Sequence, residues 1–408
     1  MSNNVLIETS AGRVEGYCEP QFQGVCDAFV ENFESRRELG ANVAITLEGK
    51  TVVDLWGGHK TPGGDAWERD TLSVVFSSTK GATALCAHLL ADRGLLDLDA
   101  PVSQYWPEYA SNGKEDTRVS MLLDHSAGVP HVRTKVKEKG YNDYEYMVDL
   151  VENEAPFWAP GSRQGYHGMT FAWTVGELVH RVAGKRLGAF FQEEVADPLG
   201  LDFWIGLPEE HETRVAPMLY DVPDEATLRS RFSQTVQSDP ESPSHLFLLN
   251  GGNTKFNDRE THAAEIGSAG GITNGRGLAG MYEPLANGGG DLVSEHTLSR
   301  MGRTAMATHE DATLLIPTRF ALGFMKSMDN RKVTDAPGMS CRLSDAAFGH
   351  VGMGGSIGFA DPEAKMSFGY NMNQMGNGIL LNERGQTLVD ACYQAMDYTE
   401  CDSGVWRA

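Results

Sequence analysis

The sequence predicts an α+β fold: one antiparallel sheet flanked by helices, assembled from both ends of the chain, with a mainly helical region inserted between them. Three observations predict it. The front of the chain carries a helical pattern and then a hairpin pattern, the back carries several strand patterns closed by a helix, and the long stretch between reads almost wholly as helix and loop. Neither end has strands enough for a stable sheet of its own, so each is expected to complete the other. The expected division is 1–78 with 291–408 as the sheet domain and 79–290 as the helical insertion.

Each element follows from its pattern. Within residues 22–39, Val25, Phe29 and Phe33 share one face at helical spacing, and Gly40 follows as a stop. VAITL and TVVDLW flank Glu48-Gly49-Lys50, which reads as a hairpin around a glycine-containing turn. A helix is expected from Thr79 through Leu85, Leu89 and Leu90 to Gly94. MVDLVEN, FAWTVGELVHRVAG and GLAGMYEPLANGG are the clearest helical pieces of the insertion, whereas 221–262, rich in Pro, Asp, Ser and Asn, reads as a surface excursion. Strand patterns return at RFALGFMKS and continue through SIGFAD and KMSFGYNMN, two runs of opposite direction hinged on Asp361-Pro362-Glu363-Ala364. A last helix is expected over 385–397, with Leu388, Cys392 and Met396 on one face.

Composition narrows the function. The 408 residues carry 56 acidic against 34 basic side chains, a net charge of −22. Such an excess repels phosphate backbones and anionic lipid, which argues against nucleic-acid or membrane partners. Six cysteines (Cys18, Cys26, Cys86, Cys341, Cys392, Cys401) are too sparse for a disulfide framework, and no CxxC spacing suggests zinc. The histidines form no HExxH or HxH pattern, so neither metal nor organic cofactor is expected. The first residues lack a basic stretch leading into an apolar core, and no apolar run approaches the ~20 residues of a membrane span. The expected compartment is the cytoplasm with reduced thiols.

Two motifs compete for a nucleophilic serine. Gly354-Gly355-Ser356-Ile357-Gly358 fits GxSxG, but that elbow needs a following helix and a downstream histidine, whereas here a strand follows and His350 is the last histidine. Ser77-Ser78-Thr79-Lys80 fits SxxK. On the first turn of a helix, residues three apart share a face, so Lys80 can reach the Ser77 hydroxyl. A lysine desolvated at the positive end of a helix dipole loses basicity and can take the serine proton, and the free N–H groups of the same helix end can hold an oxyanion. The alternative for Ser77 is a plain helix cap. Ser111-Asn112-Gly113-Lys114 is a second SxxK, set in an Asn-Gly turn.

Read together, FSSTKGATALCAHLLADRGLLDLDAPVSQYWPEY, VSMLLDHSAGVPH, APGSRQGYHGMTFAWTVGELVHRVAGK and FGHVGMGGSIGFADPEAKMSFGYNMN resemble the serine hydrolases related to β-lactamases. Among them the chain is most similar to the family VIII carboxylesterases, relatives of class C β-lactamases and penicillin-binding proteins. The resemblance implies a β-lactamase/transpeptidase-like fold with its site in the cleft between sheet domain and insertion. It also implies Ser77 as nucleophile, Lys80 as base partner and Tyr166 as the tyrosine of the second motif, relaying the proton. The backbone N–H groups of Ser77 and Met353 would form the oxyanion hole, with His350, Gly352 and Gly354 around it. His125, Trp158 and Asn274 are further candidates for the cleft, although His125 reads more simply as part of a capped helix end at Gly128 and Trp158, with Phe157, could simply pack.

Two departures shape the expected chemistry. The third motif reads His350-Val351-Gly352 where β-lactamases carry KTG, and Tyr166 is followed by His167-Gly168 where they carry YxN. A mostly neutral histidine gives a β-lactam carboxylate no permanent cation. The reading is therefore a serine carboxylesterase acting on short-chain esters through an acyl-enzyme, with a small-molecule ester as partner and a homo-oligomer compatible with it. The alternatives are β-lactam or D-amino-acid amide hydrolysis, acyl transfer, and a non-catalytic acyl-binding protein.

Overall fold

The computed structural model describes residues 3–333 and 339–408. Its main sheet has seven strands: β1 (Asn4–Thr9), β2 (Gly12–Cys18), β3 (Gly40–Leu47), β4 (Lys50–Gly58), β5 (Phe348–Val351), β6 (Ile357–Asp361) and β7 (Met366–Met372). They lie in the order β1-β2-β4-β3-β7-β6-β5, every pair antiparallel. The seam between front and back of the chain is β3 against β7, with Ile45 opposite Phe368 and Val43 opposite Tyr370. The β3–β4 hairpin turns at Glu48 and Gly49, both with positive φ, the conformation that matches the twist of its strands.

Alternation along β6 and β7 decides what covers each face. Gly358 stands opposite Gly369, and Phe359 opposite Phe368. The glycines face helix α4 (Gly275–Ala286), because a side chain at Gly369 would run into the Gly275 carbonyl at 2.2 Å. The aromatics face the other way, and Phe359 stacks on Tyr393 of helix α5 (Glu383–Ala395). Helix α1 (Gln23–Ser35) packs beside α5, burying Val25, Phe29 and Phe33. The sheet is thus sandwiched between helices, with bulky side chains on one face and close helix-to-backbone contact on the other. Helix α4, which falls within 79–290, lies on the sheet.

Helix α2 (Thr79–Asp92) is buried along nearly its whole length and packs on α3 (Phe171–Ala183), which ends at Gly184 in the left-handed region. Residues 221–262, read from the sequence as a surface excursion, are mostly exposed or half-buried but not without helix. They fold into four short helices, Glu225–Arg229, Arg231–Ser238, Pro243–Leu249 and Arg259–Ala263. Asp224, Ser230 and Ser242 each accept a backbone N–H at the start of one, so the residues that suggested loop are the helix caps. Of RFALGFMKS, Arg319 and Phe320 belong to the short strand Thr318–Phe320, and Met325 bridges antiparallel to Gly349 of β5.

Candidate active site

The chain leaves the short strand Ser73–Val74 and enters α2 through a tight turn at Phe76–Ser78. Phe76 holds a positive φ of 43°. A non-glycine residue there costs of order 1–3 kcal/mol and persists only where its surroundings impose it. Those surroundings are specific. The Thr79 hydroxyl donates to the Phe76 carbonyl at 2.5 Å, the Gly271 N–H donates back to Thr79 Oγ1 at 2.8 Å, and the Val75 N–H donates to the Gly271 carbonyl at 2.9 Å. Within residues 71–80 Ser77 alone is partly exposed.

Lys80 lies one turn further along the same helix face. Its Nζ is 3.1 Å from Ser77 Oγ and donates to the carbonyls of Gly168 at 2.7 Å and Ser268 at 2.9 Å. The side chain is fully buried, among the described residues no carboxylate pairs with it, and burial drives its pKa well below the ordinary 10.5. A neutral amine has two hydrogens and one lone pair. Two fixed carbonyls take the hydrogens, which turns the lone pair toward Ser77.

Tyr166 is buried with its ring under Lys80, whose Nζ sits 4.8 Å from the ring centroid. Its hydroxyl hydrogen-bonds no described group, although the Ser77 side chain is near enough to favour its ionisation slightly. Burial dominates and pushes the phenol upward, so it stays protonated at neutral pH. The backbone of Tyr166 is held by Asp311, a residue that no motif announced. Asp311 Oδ1 accepts the N–H groups of Tyr166 at 2.9 Å and of Thr313 and Leu314 at 2.8 Å, while Oδ2 accepts the Thr318 hydroxyl at 3.2 Å. A buried carboxylate with four donors needs no cation to stay in place.

The three histidines nearby differ in what they leave free. His167 donates from Nδ1 to the Gly165 carbonyl at 2.7 Å and accepts the Val129 N–H on Nε2 at 3.0 Å, so it is a satisfied neutral staple with its pKa lowered to about 4. His125, at a φ of 66°, accepts the His167 N–H on Nδ1 at 3.2 Å and packs its ring 5.0 Å from Tyr166. Its Nε2 therefore carries the hydrogen and has no described partner. His350 donates from Nδ1 to the Val351 carbonyl at 2.7 Å, which leaves Nε2 a bare acceptor, and burial beside Lys80 lowers its pKa to about 3.

The turn after β5 lies against the Ser77 turn. A side chain at Gly352 would meet the Val75 carbonyl at 2.1 Å, and the Ser78 hydroxyl donates to the His350 carbonyl at 3.2 Å. The N–H groups of Ser77 and Met353 donate to no described partner. Gly354 has a φ of 92° and its carbonyl accepts Asn382 Nδ2 at 2.7 Å, which braces the turn from behind. Ser356 is fully buried and donates to the Val75 carbonyl at 2.8 Å, with Ser78 Oγ 3.1 Å away. That is a clamp between the two turns, not an accessible nucleophile. Ser356→Ala is expected to lower kcat/KM on an ester by no more than about tenfold and to destabilise the fold by about 1–3 kcal/mol, measured by initial rates and urea unfolding.

The remaining candidates divide. Trp158 donates to the Ser126 carbonyl at 3.2 Å and packs its ring against Gly165, so it pins the segment carrying Tyr166. Phe157 stacks under the Arg133 guanidinium, 3.5 Å from its ring centroid. Asn274 caps α4, accepting the Gly277 N–H at 3.0 Å, and has no described contact with Ser77, Lys80 or Tyr166. The second SxxK is a structural staple. Lys114 is buried and donates to the carbonyls of Ser111, Glu152 and Glu154 at 3.1, 2.9 and 2.5 Å. Lys114→Met strands three carbonyls and is expected to cost about 1–3 kcal/mol of stability with activity kept, read as a lower urea midpoint.

Among the described residues no group of three or more His, Cys, Asp or Glu could hold a metal, and no helix is long and apolar enough to cross a membrane. Comparison with known proteins identifies the family. The β-lactamase family model matches residues 25–389. "Esterase/beta-lactamase LipL" of Mycobacterium tuberculosis is 33% identical over 387 residues, which cover 91% of this chain and 85% of that protein. The crystal structure of a family VIII carboxylesterase superposes with a TM-score of 0.80 at 37% identity, covering 94% of this chain and 99% of the other. A penicillin-binding protein homologue from Caulobacter crescentus superposes with a TM-score of 0.82 at 31% identity, over 94% and 99% of the two chains. Matched over most of its length by the family and by relatives of this identity, the chain belongs to the β-lactamase family and is a serine hydrolase.

Proposed function

We propose that this protein hydrolyses short-chain carboxylic esters through an acyl-enzyme on Ser77. The observation that carries the reading is Lys80: fully buried, driven well below its ordinary pKa, both amine hydrogens engaged by fixed carbonyls, and 3.1 Å from the only partly exposed hydroxyl of its turn. Neutral Lys80 takes the Ser77 proton as Oγ bonds to the ester carbonyl carbon. The N–H groups of Ser77 and Met353 receive the oxyanion. As the tetrahedral species collapses, the carbon–alkoxide bond breaks, the Tyr166 hydroxyl gives its proton to the departing oxygen, and the Lys80 ammonium restores the phenol. Water then repeats the sequence on the acyl-enzyme, releasing the acid and free Ser77.

His350 supports an ester over a β-lactam. A β-lactam brings a carboxylate, which needs a cation or a donor, whereas His350 Nε2 is a bare lone pair and the ring stays neutral because burial, and then Lys80, push its pKa down to about 3. Relatives carry both names, esterase and β-lactamase, so the comparison is direct: p-nitrophenyl butyrate against a chromogenic cephalosporin. Ester turnover is expected to dominate, and preference for the cephalosporin would reverse the assignment. A fluorophosphonate probe is expected on the Ser77 peptide; recovery on the Ser356 peptide would overturn the proposed nucleophile. Six free cysteines, five of them buried, suit a reducing compartment, and we assign the protein to the cytoplasm.

A further inference from the structure

We infer that Phe247 sets the size of the alcohol portion that the site accepts, an inference that rests on the ester-hydrolase reading above. Four rings pack on Tyr166: His125 at 5.0 Å, Phe247 at 5.9 Å, Phe320 at 6.0 Å and His350 at 6.1 Å between centroids. His125, Phe320 and His350 are buried, and Phe247 alone of the four is partly exposed, so it is the ring of this cluster that reaches solvent. It meets Tyr166 edge-on at 83° and lies so close to Gly168 that a Cβ there would overlap its ring at 2.0 Å. Gly168 is also the residue whose carbonyl holds Lys80. Because the Tyr166 hydroxyl protonates the leaving oxygen, a wall against Tyr166 on its open side borders the path of the alcohol.

That wall is held at both ends. Ser244, on the same short helix, donates to the Thr313 carbonyl at 2.5 Å, and Thr313 sits in the loop by which Asp311 holds Tyr166. Just past the helix, Asn250 donates to the carbonyls of Val132 and Thr134, both at 3.0 Å, and accepts the Val136 N–H at 3.0 Å. Phe232 also packs edge-on with the ring, 6.5 Å between centroids. The ring therefore keeps its distance from Tyr166 by anchorage and not by chance contact.

The test compares wild type with Phe247→Ala and Phe247→Leu on two series: acetates of growing alcohol (methyl, butyl, cyclohexyl, benzyl) and ethyl esters of growing acyl chain. Truncation is expected to raise the cyclohexyl-to-methyl ratio of kcat/KM by about tenfold or more, with leucine between, while the acyl-length profile moves by less than about threefold. Melting curves for both variants establish that the fold is kept, and Phe247→Leu carries the comparison should the alanine variant not fold. An unchanged alcohol ratio in a folded variant, or a shift confined to the acyl series, would overturn the assignment. A wild type silent on both series would instead overturn the ester reading.

Discussion

Lys80→Met is expected to lower kcat/KM on p-nitrophenyl butyrate by about 10⁴-fold or more, the scale seen when one member of a nucleophile–base pair is removed. Methionine fills the same slot among Tyr166, Phe171 and the Gly168 and Ser268 carbonyls but brings no lone pair of useful basicity to Ser77. Wild-type kcat/KM is expected to rise as pH climbs through the depressed pKa of Lys80, because the proposed base must be unprotonated, and the variant should lose that limb. Stability supplies an independent readout. The unfolded chain binds the lysine proton up to about pH 10.5 while the folded chain releases it well below that, so between the two values the unfolded state holds more protons. In that window wild-type stability should increase with pH relative to Lys80→Met. Residual turnover within tenfold of wild type would remove the amine from the mechanism, whatever the stability shows.

Tyr166→Phe is expected to lower kcat/KM by about 10²- to 10⁴-fold, the range for one acid–base group, with little change in stability. The two halves of that expectation have separate origins. The ring keeps its packing against His125, Phe320 and Phe247. The hydroxyl it loses is buried and hydrogen-bonds no described group, so the fold gives up no partner with it. A buried polar group left unpaired costs stability, which is what a group reserved for a substrate atom looks like. Its raised pKa keeps it a phenol at neutral pH and favours the acid role, with Lys80 as the base. The loss should be larger for esters of basic alcohols than for p-nitrophenyl esters, whose leaving group needs no proton. Equal losses on both would argue against proton donation by Tyr166.

The sequence by itself determined what depends on neighbours a few residues away. The fold class was legible because strand and helix periodicities are local, and Ser77–Lys80 fits a fixed helical spacing, although it was the resemblance of four sequence blocks that singled this pair out from the second SxxK. The first hairpin, Asn4–Cys18, carried too weak an alternation to signal itself, and the helices of 221–262 were hidden by the residues that cap them. The sequence already favoured Ser77 over Ser356, which has a strand after it and no downstream histidine, and the fold adds a physical reason. Ser356 is buried and its hydroxyl donates to the Val75 carbonyl, 281 residues earlier in the chain. Only the tertiary structure shows what surrounds Lys80, since the two carbonyls that hold its amine lie 88 and 188 residues away. Asp311 and Phe247 belong to no motif at all. They reach Tyr166 through folding, and a side chain's proton affinity and its walls are set by what surrounds it in space, which no spacing along the chain encodes.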